Sequence, residues 1–179
     1  MKVVVIGVSA GGPETLKKLF QDVKVLYVPV VIAQHDITED VEGFAKWLSS
    51  QIEWKVQVVH RKSMLIPSTL YIPVGGKDIV LIGKDVVVVE EPVGVVAPSI
   101  DRLFKSAAKF LKSDAVAIVL SGLGRDGVEG AKMIEKVGGR VITQQDAKFS
   151  HLPELVAKEV LKSAKRNQLD IAMILENLR

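Results

Sequence analysis

The chain has 179 residues, of which 48% are hydrophobic and 25% are charged, with a formal net charge of +3. This composition is typical of a globular protein with a substantial core. Cysteine is absent, which excludes a disulfide framework, thiolate catalysis and a cysteine metal site. The 24 basic residues are spread along the chain without a recognisable nucleic-acid-binding module, so we expect no nucleic-acid partner.

The apolar runs of the chain are short. None approaches the roughly 20 residues that a membrane helix needs, and the run after Met1 is too short for a signal peptide. We therefore expect a cytoplasmic protein without membrane insertion. The length, together with the lack of a linker or an internal repeat, predicts one domain over residues 1–179.

Buried strands and amphipathic helices alternate along most of the sequence. In the first half, the pattern predicts strands at 3–6, 28–33 and 56–59, a helix opened by Pro13 and a helix over 40–51. In the second half, it predicts a helix from Pro98 to 111 capped by Ser99, a strand at 115–120, a helix over 128–137, a strand at 141–143 and a helical tail from Pro153.

The middle of the chain has a different pattern. Leu70–Pro73, Asp78–Ile82 and Val86–Val89 are short apolar runs separated by glycine turns, which predicts a small antiparallel hairpin excursion. The remaining alternation predicts an α/β fold with three layers, a doubly wound and mostly parallel sheet between helices. Ligands of such folds bind at the carboxyl ends of the strands, so the residues after each strand are the candidate site.

The first strand runs into Gly7-Val8-Ser9-Ala10-Gly11, which matches the G-x-S-x-G nucleophile elbow. On a tight strand-to-helix turn, Ser9 would project above the sheet, and the next helix would direct its N-terminal dipole at a developing oxyanion. The same segment half-matches a dinucleotide loop, but Ser9 replaces one required glycine and the expected acidic residue is missing. A phosphate loop and a plain tight turn remain alternatives.

Two further strand ends carry chemically useful side chains. His35 follows the strand at 28–33 and is a candidate general base for Ser9, although a surface histidine is the alternative. Asp126 lies in a glycine-rich loop after the strand at 115–120 and could orient the imidazole, although a helix-capping aspartate is the alternative. His60 and His151 are rival bases, and we prefer His35. The scattered histidines give no metal-binding spacing, so we expect no metal.

These loops resemble the catalytic domain of the chemotaxis receptor protein-glutamate methylesterase family, called CheB. The family patterns G-A-S-T/A-G-G-P, V-Q-H and L-T-G-M-G-x-D-G-x-x-G correspond to residues 7–13, 33–35 and 120–130. Weaker similarity occurs at residues 70–76, 98–108 and 138–146. The resemblance spans residues 2 to about 160, in the same order.

The resemblance implies Ser9 as nucleophile, His35 as base, Asp126 as its orienting partner and the Leu123 N–H as an oxyanion donor. We expect the Ala10 N–H, directly after the nucleophile, as the second donor. The implied reaction is hydrolysis of glutamate methyl esters on the cytoplasmic helices of chemoreceptors, without a cofactor. Some members of the family also deamidate receptor glutamines.

The sequence departs from the family pattern in four places. The N-terminal receiver domain is missing, so regulation is either lost or supplied by a separate protein. The chain is either a fragment or a natural protein, and Met1 directly before the first strand favours a natural start. The segments at 36–40, 94–97 and 150–154 also differ, and we expect all three to border the cleft. A binding module that keeps these residues without catalysis is therefore the alternative function.

Overall fold

The computed structural model describes residues 1–35 and 40–179. The strands are β1 (Val3–Val8), β2 (Val30–Gln34), β3 (Lys55–Val59), β4 (Lys62–Met64), β5 (Thr69–Pro73), β6 (Asp78–Leu81), β7 (Val86–Glu90), β8 (Ala115–Val119), β9 (Arg140–Gln144) and β10 (Ala164–Arg166). The helices are α1 (Gly12–Asp22), α2 (Val41–Gln51), α3 (Ile100–Leu111), α4 (Val128–Lys136), α5 (His151–Glu159) and α6 (Gln168–Asn177).

Seven strands form a parallel sheet in the order β10-β9-β8-β1-β2-β5-β3. Strand β1 lies at its centre and pairs with β2 on one side and with β8 on the other. Its residues are entirely buried, as expected for a β-branched run covered on both faces. The residues that follow β1, β2 and β8 therefore share one edge of the sheet.

Helices cover both faces of this sheet. Alternate residues of β1 point to opposite sides, so Val4 and Ile6 pack with α1, α2 and α6, whereas Val3 and Val5 pack with α3, α4 and α5. The two sides form separate apolar clusters. The predicted three-layer, mostly parallel α/β fold is confirmed. None of the helices in the described ranges is long and apolar enough to cross a membrane.

The small antiparallel sheet differs from the prediction in its membership. Its order is β4-β7-β6, so the hairpin of β6 and β7 is confirmed. The prediction for Leu70–Pro73 was wrong, because β5 lies in the parallel sheet between β2 and β3 and is buried throughout. Strand β4 takes its place in the small sheet. It has three mostly exposed residues, Lys62–Met64, and so lacks the apolar pattern that marks a strand.

The end of the chain also differs from the prediction. The strand at 141–143 is not the last one, because β10 pairs parallel to β9 at the sheet edge. Strand β10 contains Ala-Lys-Arg, whose mostly exposed side chains give no hydrophobic signal. Helix α5 begins at His151, two residues before Pro153, so the proline lies in its first turn, where a missing N–H costs little.

Candidate active site

Ser9 lies on a tight turn between β1 and α1. Its amide donates to the carbonyl of Ser121 at 2.9 Å, and the Gly12 amide donates to the Ser9 carbonyl at 2.9 Å. Gly11 has φ of +76°, a left-handed conformation that favours glycine. The strand-turn-helix geometry is that of a nucleophile elbow. Because the amides of Ser9 and Gly12 already have carbonyl acceptors, the turn is poorly suited to cradle a phosphate.

His35 directly follows β2, the strand beside β1. Its amide donates to the Val8 carbonyl at 3.0 Å, and its side chain is buried, with 9% exposed. The Nε2 atom lies 2.7 Å from Oδ2 of Asp126. Between residues 1–35 and 40–179 the structure has no direct hydrogen bond from Ser9 Oγ to the imidazole. With Nε2 directed at Asp126, Nδ1 is the ring nitrogen left to accept a proton.

The Asp126 carboxylate accepts hydrogen bonds from two backbone amides in addition to its contact with the imidazole. Its Oδ2 accepts from the Ile100 amide at 2.7 Å, and its Oδ1 accepts from the Asp101 amide at 2.8 Å. Asp126 therefore accepts from two amides at the N-terminus of α3 while it contacts His35. Burial by itself raises the pKa of Asp126, but the hydrogen bonds from His35 and from these two amides outweigh it and lower the pKa overall.

Asp101 is a second carboxylate near Asp126, and no motif in the sequence marks it. Its Oδ1 accepts from the Gly130 amide at 2.7 Å, which joins α3 to α4. Burial raises the pKa of Asp101, and the negative charge of Asp126 raises it further. The hydrogen bond from Gly130 lowers the pKa, but the net shift is upward. The helical periodicity from Pro98 predicted the helix, but gave no sign that its first turn faces Asp126.

Leu123 directs its amide at the candidate nucleophile. The Leu123 N–H donates to Ser9 Oγ at 3.0 Å, so this loop amide contacts the hydroxyl of the candidate nucleophile. Gly122 is required beside it, since a Cβ there would lie 2.8 Å from Ser9 Oγ. The Ala10 amide has no acceptor within residues 1–35 and 40–179, and so could serve an oxyanion.

Ser121 fixes the two loops against each other and was also missed by sequence reasoning. Its fully buried hydroxyl donates to the Ala10 carbonyl at 2.7 Å and accepts from the Phe149 amide at 3.0 Å. Its own amide donates to Oε1 of Gln144 at 3.1 Å. The only sequence signal was its place in the glycine-rich loop. These bonds orient the Ala10 peptide and the segment that carries Leu123.

The rival histidines lie outside this arrangement. His60 is 60% exposed and pairs with Glu42 at 2.6 Å. His151 is exposed at the start of α5. In the part of the chain that the structure describes, no cluster of three metal-ligating side chains is found.

Comparison with known proteins identifies the family of the chain. Residues 4–177 match the family model described as CheB methylesterase. This chain belongs to the CheB methylesterase family. Its fold is also that of a solved member: the crystal structure of the Thermotoga maritima CheB methylesterase catalytic domain aligns with a TM-score of 0.90 at 26% identity, over 99% of this chain and 98% of the other.

Curated relatives in the CheB family are longer than this chain. Protein-glutamate methylesterase/protein-glutamine glutaminase 2 of Methanospirillum hungatei is 32% identical over 153 residues, which cover 83% of this chain and 44% of the relative. The protein-glutamate methylesterase/protein-glutamine glutaminase 1 of Vibrio cholerae is 30% identical over 161 residues, which cover 86% and 43%. This chain therefore spans less than half the length of these relatives.

Two of the three segments that we expect to border the cleft lie within the described residues. Phe149, just before the altered segment 150–154, packs its ring at 3.1 Å from the position that a Cβ on Gly11 would occupy. The segment 94–97 leads to Pro98, one residue before the capping residue of α3. Of the altered segment after His35, residues 36–39 lie outside the described residues. The two described segments thus adjoin, along the chain, residues at the elbow and at the start of α3.

Proposed function

We propose that this chain is a serine hydrolase that demethylates glutamate methyl esters on chemoreceptors. One observation carries the proposal: Ser9, His35 and Asp126 follow three adjacent strands, with a direct bond from His35 to Asp126 and the Leu123 amide on Ser9 Oγ. A nucleophile, a base, a partner for the base and an oxyanion donor are the groups that acyl transfer needs. The curated relatives bear methylesterase and glutaminase names.

In the proposed reaction, Ser9 Oγ attacks the ester carbonyl carbon while Nδ1 of His35 takes the hydroxyl proton. The carbonyl oxygen becomes an oxyanion, and the Leu123 and Ala10 amides donate to it. Collapse of this intermediate breaks the bond to the methoxy group, which leaves as methanol with the proton from His35. Water, deprotonated by His35, then hydrolyses the acyl-enzyme and restores Ser9. A glutamine amide would follow the same course and release ammonia.

In this cycle, Asp126 is proposed to orient the imidazole of His35 and to stabilise its protonated form. Its carboxylate stays ionised because the α3 amides and His35 lower its pKa. An ionised partner fixes the orientation of the imidazole and stabilises the imidazolium that forms in each step. Because the α3 amides also hold the carboxylate, its position does not depend on the protonation of His35. No step of this mechanism requires a cofactor.

We further propose that residues 1–179 act as one catalytic unit in the cytoplasm, on the cytoplasmic helices of methylated chemoreceptors. We also propose a separate regulatory protein as a partner. The altered segments 94–97 and 150–154 lie next to residues that contact the site. They are therefore where we expect substrate recognition to differ among family members.

Two measurements test the proposal. A fluorophosphonate probe, which reacts with activated serines, should label Ser9, and methylated receptor fragments should release methanol. Ser9→Ala should lose the labelling and lower methanol release by a factor on the order of 10³ or more. Ser50→Ala, at an exposed serine on α2, is the matched control and should behave like the unaltered protein. Failure of the unaltered protein to label would favour the binding module.

A further inference from the structure

Gln34, the last residue of β2, contacts the backbone of both Ser9 and His35. The residue is buried, with 5% of its surface exposed, and Nε2 donates to the Ser9 carbonyl at 3.0 Å and to the His35 carbonyl at 2.7 Å. One amide group thus bridges the turn of the nucleophile and the turn of the base. We propose that Gln34 is a positioning residue that fixes Ser9 relative to His35, an inference that rests on the proposed function.

The chemistry of the bridge restricts the residue type. Both backbone partners are carbonyl oxygens, so the side chain must present two N–H donors from one atom, which a primary amide does. The opposite orientation of the amide would put Oε1 against two acceptors. A carboxylate would have the same fault and would add a buried charge. The bridge therefore selects glutamine at this position.

Gly12 provides the space for the bridge. A Cβ at Gly12 would lie 1.7 Å from Oε1 of Gln34 and 2.5 Å from Nε2, so the amide occupies the volume that any other residue would fill. Gly12 has no positive φ and lies at the first position of α1, where other residues would be conformationally acceptable. The second glycine of the Gly11-Gly12 pair is thus explained by the Gln34 side chain and not by the turn.

The bridge matters because Ser9 and His35 share no direct hydrogen bond in the described residues. Their relative position depends on backbone contacts, namely the pairing of β1 with β2 and the bond from the His35 amide to Val8. Gln34 adds a side chain that ties the two carbonyls together. A displacement of about 1 Å between reacting groups can lower a rate by roughly 10²-fold.

The test uses Gln34→Met, which keeps the length of the side chain but removes both donors. We expect the rate of fluorophosphonate labelling at Ser9 and kcat for methanol release to fall about 10²-fold. KM should change by less than about threefold, because Gln34 is buried behind the site and is not proposed to touch substrate. Gln57→Met, which removes a half-buried glutamine that bonds Ser63 between β3 and β4, is the control and should label normally.

A double-mutant cycle separates positioning from a general loss of stability. Gly12→Ala should displace the Gln34 amide and slow labelling to a similar extent. In the Gln34→Ala background, the added Cβ meets no amide, so Gly12→Ala should slow labelling by less than about threefold further. Additive effects of the two changes would overturn the proposal. So would Gln34→Met protein that labels within about threefold of the unaltered rate.

Failure of the proposed function would look different. If the unaltered protein does not label at Ser9, the proposed nucleophile is wrong, and this inference falls with it. If it labels at Ser9 but releases no methanol from receptor fragments, only the proposed substrate is wrong. The labelling rates of the Gln34 and Gly12 variants then still decide whether the bridge positions the nucleophile.

Discussion

Nε2 of His35 lies 2.7 Å from Oδ2 of Asp126, although the two residues are 91 positions apart in the chain. They meet because β2 and β8 flank β1 in a parallel sheet, so the residues that follow these strands emerge at the same edge. Ser9 follows the central strand and lies between them in strand order. The spatial proximity of the three residues is thus a consequence of sheet topology.

The first prediction concerns the partner of the imidazole. Asp126→Asn should lower kcat for methanol release by roughly 10³-fold or more, because a neutral amide does not stabilise the imidazolium. Steady-state kinetics on methylated receptor fragments measure the effect. Asp114→Asn, at a half-exposed aspartate that pairs with Lys2, should leave kcat unchanged. Near-normal activity of Asp126→Asn would exclude the proposed role of the carboxylate.

The second prediction is the pH dependence of stability at Asp126. Its pKa is lowered in the folded protein, so its carboxylate stabilises the fold above the ordinary value of 3.8, and this contribution is lost as the pH falls through the folded pKa. Asp126→Asn should lower the free energy of unfolding at pH 6 by about 1–3 kcal/mol, the usual range for hydrogen bonds to a charged group. Below pH 4 the difference from the unaltered protein should shrink, as measured by denaturant unfolding across the pH range.

The third prediction is the opposite pH dependence at Asp101. Burial raises its pKa, so the folded state favours the protonated acid, and its charge costs stability as the pH rises from 3.8 through the folded pKa. Relative to the unaltered protein, Asp101→Asn should therefore become more stable as the pH rises through this window. The same unfolding series measures it. If Asp101→Asn became less stable relative to the unaltered protein as the pH rises, as expected for Asp126→Asn, the raised pKa of Asp101 would be contradicted.

The fourth prediction concerns the space beside the nucleophile. In Gly122→Ala, the new Cβ would lie 2.8 Å from Ser9 Oγ and 3.2 Å from Leu152 Cδ2, so Ser9 or the loop must move. Fluorophosphonate labelling should slow by about 10²-fold. Gly83→Ala is the matched control, since a Cβ there meets nothing within 4 Å, and should label normally. Equal labelling of the two variants would show that the close approach of Gly122 is unimportant.

The fifth prediction concerns the support of α3 from the small sheet. Asp78 is fully buried on β6; its Oδ2 lies 2.6 Å from Nη1 of Arg102 and its Oδ1 accepts from the Ser99 amide at 2.7 Å. Arg102→Met should lower the free energy of unfolding by about 2–4 kcal/mol, because it leaves a buried charge without its partner.

Denaturant unfolding measures the Arg102 effect, and a second variant isolates its cause. Adding Asp78→Asn to Arg102→Met removes the unpaired charge and should recover part of the loss. Arg61→Met, at an exposed arginine, should change stability by less than about 0.5 kcal/mol. If the double variant is no more stable than Arg102→Met, the buried charge is not the cause.

Sequence patterns predicted local structure correctly where the residue type at a position favours one kind of element. The β-branched run at 3–6 predicted the central strand, and Ser99 predicted the start of α3, which it caps by accepting from the Arg102 amide. The sequence patterns failed to predict β4 and β10, because these short and mostly exposed strands carry no apolar signal. They also misassigned residues 70–73, because a buried strand looks the same in a parallel sheet and in a hairpin.

The sequence by itself determined the fold class, the elbow at Ser9 and the candidates His35 and Asp126, since each depends on local pattern and on position after a strand. Only the tertiary structure decided which groups meet. It revealed the α3 amides on Asp126, the Asp101 carboxylate nearby, the Ser121 contacts and the Gln34 bridge behind Gly12. These contacts join residues far apart in the chain, and their geometry depends on how strands and helices pack.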